Sequence, residues 1–309
     1  MSTDVIPTPP TPHSRARRVA IGFAILVAVL IVYVLSLVGV HLLSKSSPPL
    51  PAVDLSQFHK EDTIVQLSLE ELKPVANRLS VNVLVYPEDN LYDQNMGVLT
   101  SDAAVRLYPD NDLGDLQYPK GKAPAQVSTK IEAHGDPGNW PFDNYTTSEL
   151  SALVFTGGYH DKVWARMEVT GSLEGWDVSV KRVHDAEDTE NPNSLDNVVI
   201  ALHRSKGPLI FDLGLCLILI ALPALALMVA IPMALGRTSF LPPFSTWYAA
   251  MLFAVIPLRN FLPGSPPPGS WVDQAVVLWV LIALVVAMSL FVVAWVRQRD
   301  RKDPRAKKT

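Results

Sequence analysis

Three charged side chains stand at the ends of long apolar runs, where they could pair with one another or pass a proton. Asp212 lies near the start of one run, Arg259 follows the end of the next, and Asp273 lies near the start of the last. A charge at membrane depth is costly and normally finds a partner in the bundle interior. We predict that the three side chains form an ion-pair cluster that fixes helix packing. A proton or substrate gate is the functional alternative, and separate water-exposed residues are the third.

A second group of chemically distinctive residues forms the segment Trp140-Pro-Phe-Asp-Asn-Tyr145. Pro141 fixes the backbone, Phe142 is expected to plug the end of a β-sandwich, and Asp143 is expected to accept hydrogen bonds from nearby amides. We interpret the segment as a turn in which Trp140, Phe142, Asp143 and Tyr145 are structural anchors. It also resembles the loop that couples ligand binding to the pore in pentameric ligand-gated channels, although this chain has an apolar run before the domain.

The remaining polar residues match no catalytic, cofactor or metal pattern. The histidines at 59, 134, 160, 184 and 203 are scattered and not at metal-ligand spacing. The acidic stretches 88–93 and 110–115 do not fit the spacing of a calcium-binding EF-hand loop. Cys216 is the only cysteine and lies inside the run 209–235, which excludes disulfides and thiolate zinc sites within residues 44–206. We therefore predict no enzyme activity, no cofactor and no metal site.

Four apolar runs position these residues. They cover residues 19–43, 209–235, 240–258 and 271–296. About 20 apolar residues cross the lipid core as a helix, and helices are the only plausible state of such runs in lipid. The sequence predicts four transmembrane helices. The first run has 25 residues, too long for a signal peptide, so we expect an uncleaved anchor.

The charge distribution predicts how the chain is oriented. Residues 44–206 hold 25 acidic and 14 basic side chains, a net charge of −11, which argues against a nucleic-acid partner. Eleven other basic side chains flank the runs on one predicted side, and Arg259 alone lies near the other. The positive-inside rule then places both termini in the cytoplasm and residues 44–206 outside the plasma membrane. Residues 1–18 are predicted to be a disordered tail and residues 297–309 a basic tail.

Residues 44–206 are predicted to form one all-β domain. Strand candidates of five to nine residues are rich in Val, Leu and Thr and are bounded by turn residues, which is typical of an antiparallel sandwich. The candidates are 63–69, 79–86, 103–107, 127–132, 150–156, 162–170, 176–183 and 198–203. Between the third and fourth runs, residues 259–270 are predicted to form a rigid outer loop of prolines and glycines.

The chain resembles the family called domain of unknown function 4436. The resemblance is carried by the segment Trp140-Pro-Phe-Asp-Asn-Tyr145, by the loop Pro257-Leu-Arg-Asn-Phe-Leu-Pro-Gly-Ser-Pro-Pro-Pro-Gly-Ser270, and by Asp273 and Trp279, and it covers roughly residues 55–300. It implies a plasma-membrane location and an actinobacterial, notably mycobacterial, source. The family has no established activity, so the resemblance implies no functional residue.

These observations lead us to expect a non-enzymatic accessory or interaction protein of the cell envelope. Its expected partners are the lipid bilayer and an envelope protein or glycan. One alternative is an oligomeric channel or transporter with a β-sandwich ectodomain, although the runs contain few adjacent polar residues, such as Ser245 and Thr246. The other is an envelope enzyme that uses carboxylates without a recognisable motif.

Overall fold

The computed structural model describes residues 48–54, 59, 62–183, 197–239, 244–264 and 266–302, together with seven separate helical positions between Val27 and Gly39. Predictions for the 1–18 tail, for most of the first apolar run and for residues 303–309 therefore lie outside the described residues. The chain divides into two compact units, residues 1–46 and 47–309. The β-strands and the three helices after them belong to the second unit.

The predicted β-rich domain is confirmed in residues 64–204, where the alternating apolar pattern forms strands. The strands are β1 (Ile64–Lys73), β2 (Arg78–Tyr86), β3 (Tyr92–Asp93), β4 (Val98–Leu99), β5 (Ala103–Tyr108), β6 (Leu116–Tyr118), β7 (Val127–Glu132), β8 (His134–Gly135), β9 (Asn144–Thr146), β10 (Ser151–Thr156), β11 (Asp161–Gly171), β12 (Trp176–Val183) and β13 (Asn197–Arg204). Each of the eight predicted strand segments lies on one of these strands. The strands that the pattern did not predict, β3, β4, β6, β8 and β9, have only two or three residues.

A large sheet and a small sheet enclose one apolar core. The large sheet has the strand order β6-β5-β10-β11-β1-β2-β7, the small one has the order β12-β13-β9-β8, and β3 pairs with β4. Along β2, every second side chain from Leu79 to Val85 is fully buried, as the alternation predicts. These side chains share the core with Ile200 and Leu202 of the small sheet.

One strand pair departs from the predicted antiparallel arrangement. β1 and β11 run parallel, with Ile64 opposite Arg166 and Leu69 opposite Gly171, whereas the other strand pairs of the described domain are antiparallel. Parallel neighbours need a long crossover, and here β2 to β10 lie between the two strands in sequence. Apolar alternation cannot distinguish the two directions, because it depends only on which face of the sheet is buried.

Three helices follow the β-domain: α1 (Lys206–Ala234), α2 (Phe244–Asn260) and α3 (Leu278–Lys302). A π-helical turn, Asp273–Val277, leads into α3, and 3-10 turns occur at Pro74–Ala76, Asp89–Leu91 and Pro137–Asn139. Two helical segments, Lys206–Ala234 and Asp273–Arg299, are long and apolar enough to cross a membrane. The third predicted span corresponds to α2, which has 17 residues, and residues 240–243 before it lie outside the described part.

The helices have an apolar core of their own. Leu219, Ala226 and Ala230 of α1 are fully buried against Val255 of α2 and Ala287 of α3. Small side chains allow the helix backbones to approach closely, as is common where helices pack without a hydrophobic driving force. The outward faces of α1 and α3 are exposed and apolar, with side chains such as Leu217 and Trp279 more than 60% exposed.

Candidate functional site

The candidate site lies where the β-domain meets the helices. Its central segment begins with the 3-10 turn Pro137–Asn139, in which the Asp136 carboxylate accepts a hydrogen bond from the Gly138 amide at 2.9 Å. This is the turn chemistry that aspartate favours. The turn is continued by a hydrogen bond from the Phe142 amide to the Asn139 carbonyl. It directs the residues from Trp140 onwards towards the helices.

The segment Trp140–Tyr145 connects the two apolar cores. Trp140 is fully buried among the helix side chains, whereas Tyr145 is buried in the core of the β-domain. The ring of Tyr145 contacts that of Trp176 edge-on, with centroids 5.4 Å apart. Burial, and secondarily the carboxylate of Asp143, raises the pKa of Tyr145, so its phenol stays protonated at neutral pH. A six-residue segment thus contributes one large aromatic side chain to each core.

A buried ion pair lies between these two aromatic residues. The Arg204 side chain donates from Nε to Oδ1 of Asp143 at 2.5 Å and from Nη2 to Oδ2 at 3.2 Å. The exposed fraction is 7% for the Arg204 side chain and 1% for that of Asp143. Arg204 is the last residue of β13, and only Ser205 separates it from α1. The pair therefore joins the strand that enters the helices to the segment that packs against them.

Arg204 is also enclosed by aromatic and backbone groups. Its guanidinium carbon lies 4.7 Å from the ring centroid of Trp176 and 5.7 Å from that of Trp140, both within cation–π range. On another side it meets Gly264 of the outer loop, where a Cβ atom would lie only 2.6 Å from Nη1. Gly264 also has φ +74°, which L side chains rarely adopt. Two features therefore favour glycine at this position: the positive φ angle and the closeness of the Arg204 guanidinium.

The predicted cluster of Asp212, Arg259 and Asp273 is only partly formed. Arg259 binds Asp273 through two hydrogen bonds, Nε to Oδ1 at 2.9 Å and Nη2 to Oδ2 at 2.8 Å. Asp212 does not take part: it is fully buried, and neither carboxylate oxygen has a hydrogen-bond partner among the described residues. The charges nearest to it are those of Arg204 and Asp143. The sequence predicts that the three charges lie at a similar depth in the membrane. It does not specify on which side of the helix bundle each charge lies.

The Arg259–Asp273 pair holds the outer loop. Arg259 Nη2 also donates to the carbonyl of Pro266 at 2.8 Å, and the Gly269 amide donates to Asp273 Oδ2 at 2.9 Å. The side chain of Gln274 adds a hydrogen bond to the Gly269 carbonyl at 2.8 Å. The two charged side chains therefore connect the end of α2, the loop and the turn before α3 in one network.

Two roles predicted for the Trp140–Tyr145 segment are wrong. Phe142 does not plug the β-domain: it is 46% exposed and contacts Trp271 edge-on, with ring centroids 5.9 Å apart. The side chain of Asp143 is paired with the guanidinium of Arg204 and not with nearby amides. The partner of Phe142 comes from the helical part and that of Asp143 from the end of β13, 61 residues away, and the local sequence pattern contains no information about either contact. Pro141 is buried between these residues.

A cavity opens at this junction. It has a volume of about 620 Å³ and lies between the β1–β2 turn, β12 and the outer loop. Its walls include Leu72, Trp140, Trp176, Arg204 and Pro267. Among the described residues, no group of three or more His, Cys, Asp or Glu could hold a metal ion. The cavity therefore offers a ligand aromatic side chains and charged groups of both signs.

Sequence reasoning missed Arg204, Trp176 and Gly264. A usable signal was present for Arg204, because it is a charged residue directly before a long apolar run and must be solvated or paired. Its partner Asp143 is 61 residues away in the sequence, so the pairing depends on the tertiary fold. Trp176 gave no comparable signal, because an apolar residue at the start of a strand is common.

We expect the Arg204–Asp143 pair to be strongly coupled. Replacing only Arg204, as Arg204→Met, leaves the Asp143 carboxylate buried without a partner and should destabilise the protein by about 3–5 kcal/mol. The double variant Arg204→Met with Asp143→Leu should lose less than the sum of the single variants, by about 1–3 kcal/mol. Unfolding of the detergent-solubilised protein, followed by circular dichroism, measures both. Arg166→Met, at a side chain 45% exposed, is the control and should cost less than about 1 kcal/mol. Additive single effects would contradict a coupled pair.

We expect the Arg259–Asp273 pair to hold the outer loop. Arg259→Leu leaves the partly buried Asp273 without its guanidinium and should lower stability by about 1–3 kcal/mol. Melting temperature and abundance in cells are the readouts. Arg237→Leu, at an exposed position between α1 and α2, serves as the control. An unchanged melting temperature and abundance for Arg259→Leu would show that the loop does not depend on the pair.

Comparison with known families divides the chain at the same junction. Residues 54–202 match the family described as Domain of unknown function (DUF4436), and residues 204–298 match the one described as Domain of unknown function (DUF8686). No curated protein matches the chain. The boundary between the two matches falls beside Arg204, at the end of the last strand. The DUF4436 resemblance predicted from the sequence is therefore confirmed for residues 54–202. The predicted extent to residue 300 is wrong, because the loop 257–270, Asp273 and Trp279 lie in the part that matches the DUF8686 family.

Proposed function

We propose that the protein is a multi-pass plasma-membrane protein of the cell envelope whose exported β-domain binds a partner at a fixed angle to the membrane. The apolar segment 19–43 and the three helices after the β-domain would be its four spans. The N- and C-termini would lie in the cytoplasm and residues 44–206 outside it. The role would be that of an accessory protein, with an envelope protein or glycan as the partner.

The observation that carries this proposal is the rigid connection between β-domain and helices. A domain that is only tethered needs a linker, which is usually polar and flexible. Here a single residue separates β13 from α1, the Arg204–Asp143 pair crosses the junction, and Trp140 is buried in the helix core. Such a connection fixes the orientation of the domain. A fixed orientation is useful to a protein that presents a binding surface at a set height and angle.

The charge of the exported domain supports a binding role. Residues 44–206 carry a net charge of −11. A field of this sign attracts cationic surfaces and repels phosphate polymers, which favours basic protein partners or neutral glycans over nucleic acids. The large sheet ends at β6 and β7, and no further strand of the described domain pairs with the outer edge of either. An edge of this kind can accept a strand from a partner.

The topology gives a direct prediction. With Cys216 replaced by Ala, a single cysteine is introduced either at Ser172 in the β-domain or at Thr238 between α1 and α2, both exposed positions. A membrane-impermeant maleimide added to intact cells should label S172C, whereas T238C should react only after permeabilisation. The reverse pattern, or equal labelling of both, would overturn the proposed orientation.

The accessory role predicts a defined partner. Crosslinking of the full-length protein in its native membrane, followed by purification and mass measurement, should recover a foreign envelope component at fixed stoichiometry. The Arg204→Met variant should reach the membrane but recover less of that component, because the domain is no longer held at its angle. A closed homo-oligomer without a foreign component would contradict the accessory role and support a channel. Leu107→Ala, at a buried position of β5 outside the junction, should lose a comparable amount of about 2–5 kcal/mol and controls for a general loss of stability.

A further inference from the structure

We propose that the cavity at the junction binds one zwitterionic phospholipid, of the kind whose headgroup carries an ammonium and a phosphate. The inference rests on the proposed membrane location, because the ligand would come from the outer leaflet. It goes beyond the proposed function by naming a ligand that binds between the β-domain and the helices.

The size and the walls of the cavity fit a lipid headgroup together with the adjoining parts of its chains. Its volume of about 620 Å³ lies within the range of about 300–1,000 Å³ usual for small-molecule sites. The apolar part of the lining includes Leu72, Pro74, Trp140 and Trp176. Tryptophan combines an apolar body with a polar N–H group and is enriched at membrane–water interfaces for this reason. The Nε1 atom of Trp140 is buried and has no hydrogen-bond partner among the described residues.

The charges around the cavity have both signs. The lining includes Lys73, the carboxylates of Glu71 and Glu174, and the Arg204–Asp143 pair, in which the two charges bind each other. Lys73 lies 3.4 Å from Glu71, but both side chains are about half exposed, so little free energy is lost when they exchange partners. Lys73 can then face a phosphate, and a glutamate can face an ammonium. A purely anionic ligand would be repelled by the two carboxylates and by the acidic domain around them.

Exposed apolar side chains border the cavity and continue towards the helices. Val75 in the β1–β2 turn is 68% exposed and lines the cavity, and Phe261, shortly before Gly264 in the chain, is 72% exposed. Phe142 and Trp271, in contact with each other, are each 46% exposed. Contiguous apolar surface of this kind marks a membrane or protein interface. The outward faces of α1 and α3 are also exposed and apolar, which favours lipid, because acyl chains of a bound molecule could lie along them.

The test uses the delipidated full-length protein in detergent. Phosphatidylethanolamine is added and compared with phosphatidylglycerol, and also with glycerophosphoethanolamine, the headgroup without chains. We expect one phosphatidylethanolamine molecule to be retained in native mass spectra and the melting temperature to rise by roughly 5 °C at saturation. Phosphatidylglycerol and the free headgroup should give much smaller effects. An equal effect of phosphatidylglycerol would overturn the charge argument, and an equal effect of the free headgroup would overturn the role of the chains.

Two variants connect the effect to this cavity. Ala76→Trp fills it from an exposed lining position and should weaken retention at least tenfold, whereas Ala125→Trp, at an exposed position outside the lining, should not. Glu174→Lys should shift the preference towards phosphatidylglycerol, whereas Glu88→Lys, near the far end of β2, should leave it unchanged. Retention that is equal in Ala76→Trp and Ala125→Trp would place the lipid elsewhere. Absence of retention in a protein that still passes the cysteine-labelling test would reject this inference and leave the proposed function intact.

Discussion

The buried pair of Arg204 and Asp143 is the interaction on which the junction depends. Removing two charges from water costs several kcal/mol each, and the attraction between them offsets this only with good geometry and further contacts. Here the guanidinium binds the carboxylate through two nitrogens and is enclosed by Trp140, Trp176 and Gly264. Trp140 and Trp176 supply indole rings within cation–π range, and Gly264 supplies a positive φ angle and the absence of a Cβ atom. A charged pair of this kind is weak evidence for high stability but strongly restricts how the β-domain and the helices fit together.

The same junction explains why the two cores fold as one compact unit. The β-domain has its own core of alternating strands, and the helices have theirs, lined by small residues. Either could move relative to the other if only the peptide chain between Arg204 and Lys206 joined them. The segment from Trp140 to Tyr145 prevents this, because one end is buried in each core. The outer loop, held by Arg259 and Asp273, provides the surface against which Arg204 packs at Gly264.

The sequence predicted what depends on local patterns and missed what depends on tertiary contacts. Alternation along Leu79 to Val85 predicts a strand and its buried face, and the sheet confirms both. Apolar length similarly predicts α1 and α3. The apolar alternation of a strand does not encode its direction in the sheet, so the parallel pairing of β1 with β11 was missed. Strands of two or three residues are too short to show a period. Arg259 and Asp273 are 14 residues apart, and their pairing was predicted, whereas Asp212 was assigned to the wrong neighbours because depth in the membrane gives no lateral position.

A fixed junction limits which mechanisms suit this architecture. In a channel that is gated by its ectodomain, the loop between the β-domain and the helices must adopt two arrangements of similar free energy. A second arrangement here would have to withdraw Trp140 from the helix core and separate a buried ion pair, which costs about 3–5 kcal/mol when one partner is left alone. Displacing Arg204 would leave the carboxylate of Asp143, whose side chain is 1% exposed, buried without its partner. The junction therefore favours a single orientation of the β-domain, which suits presentation of a surface better than transmission of a movement.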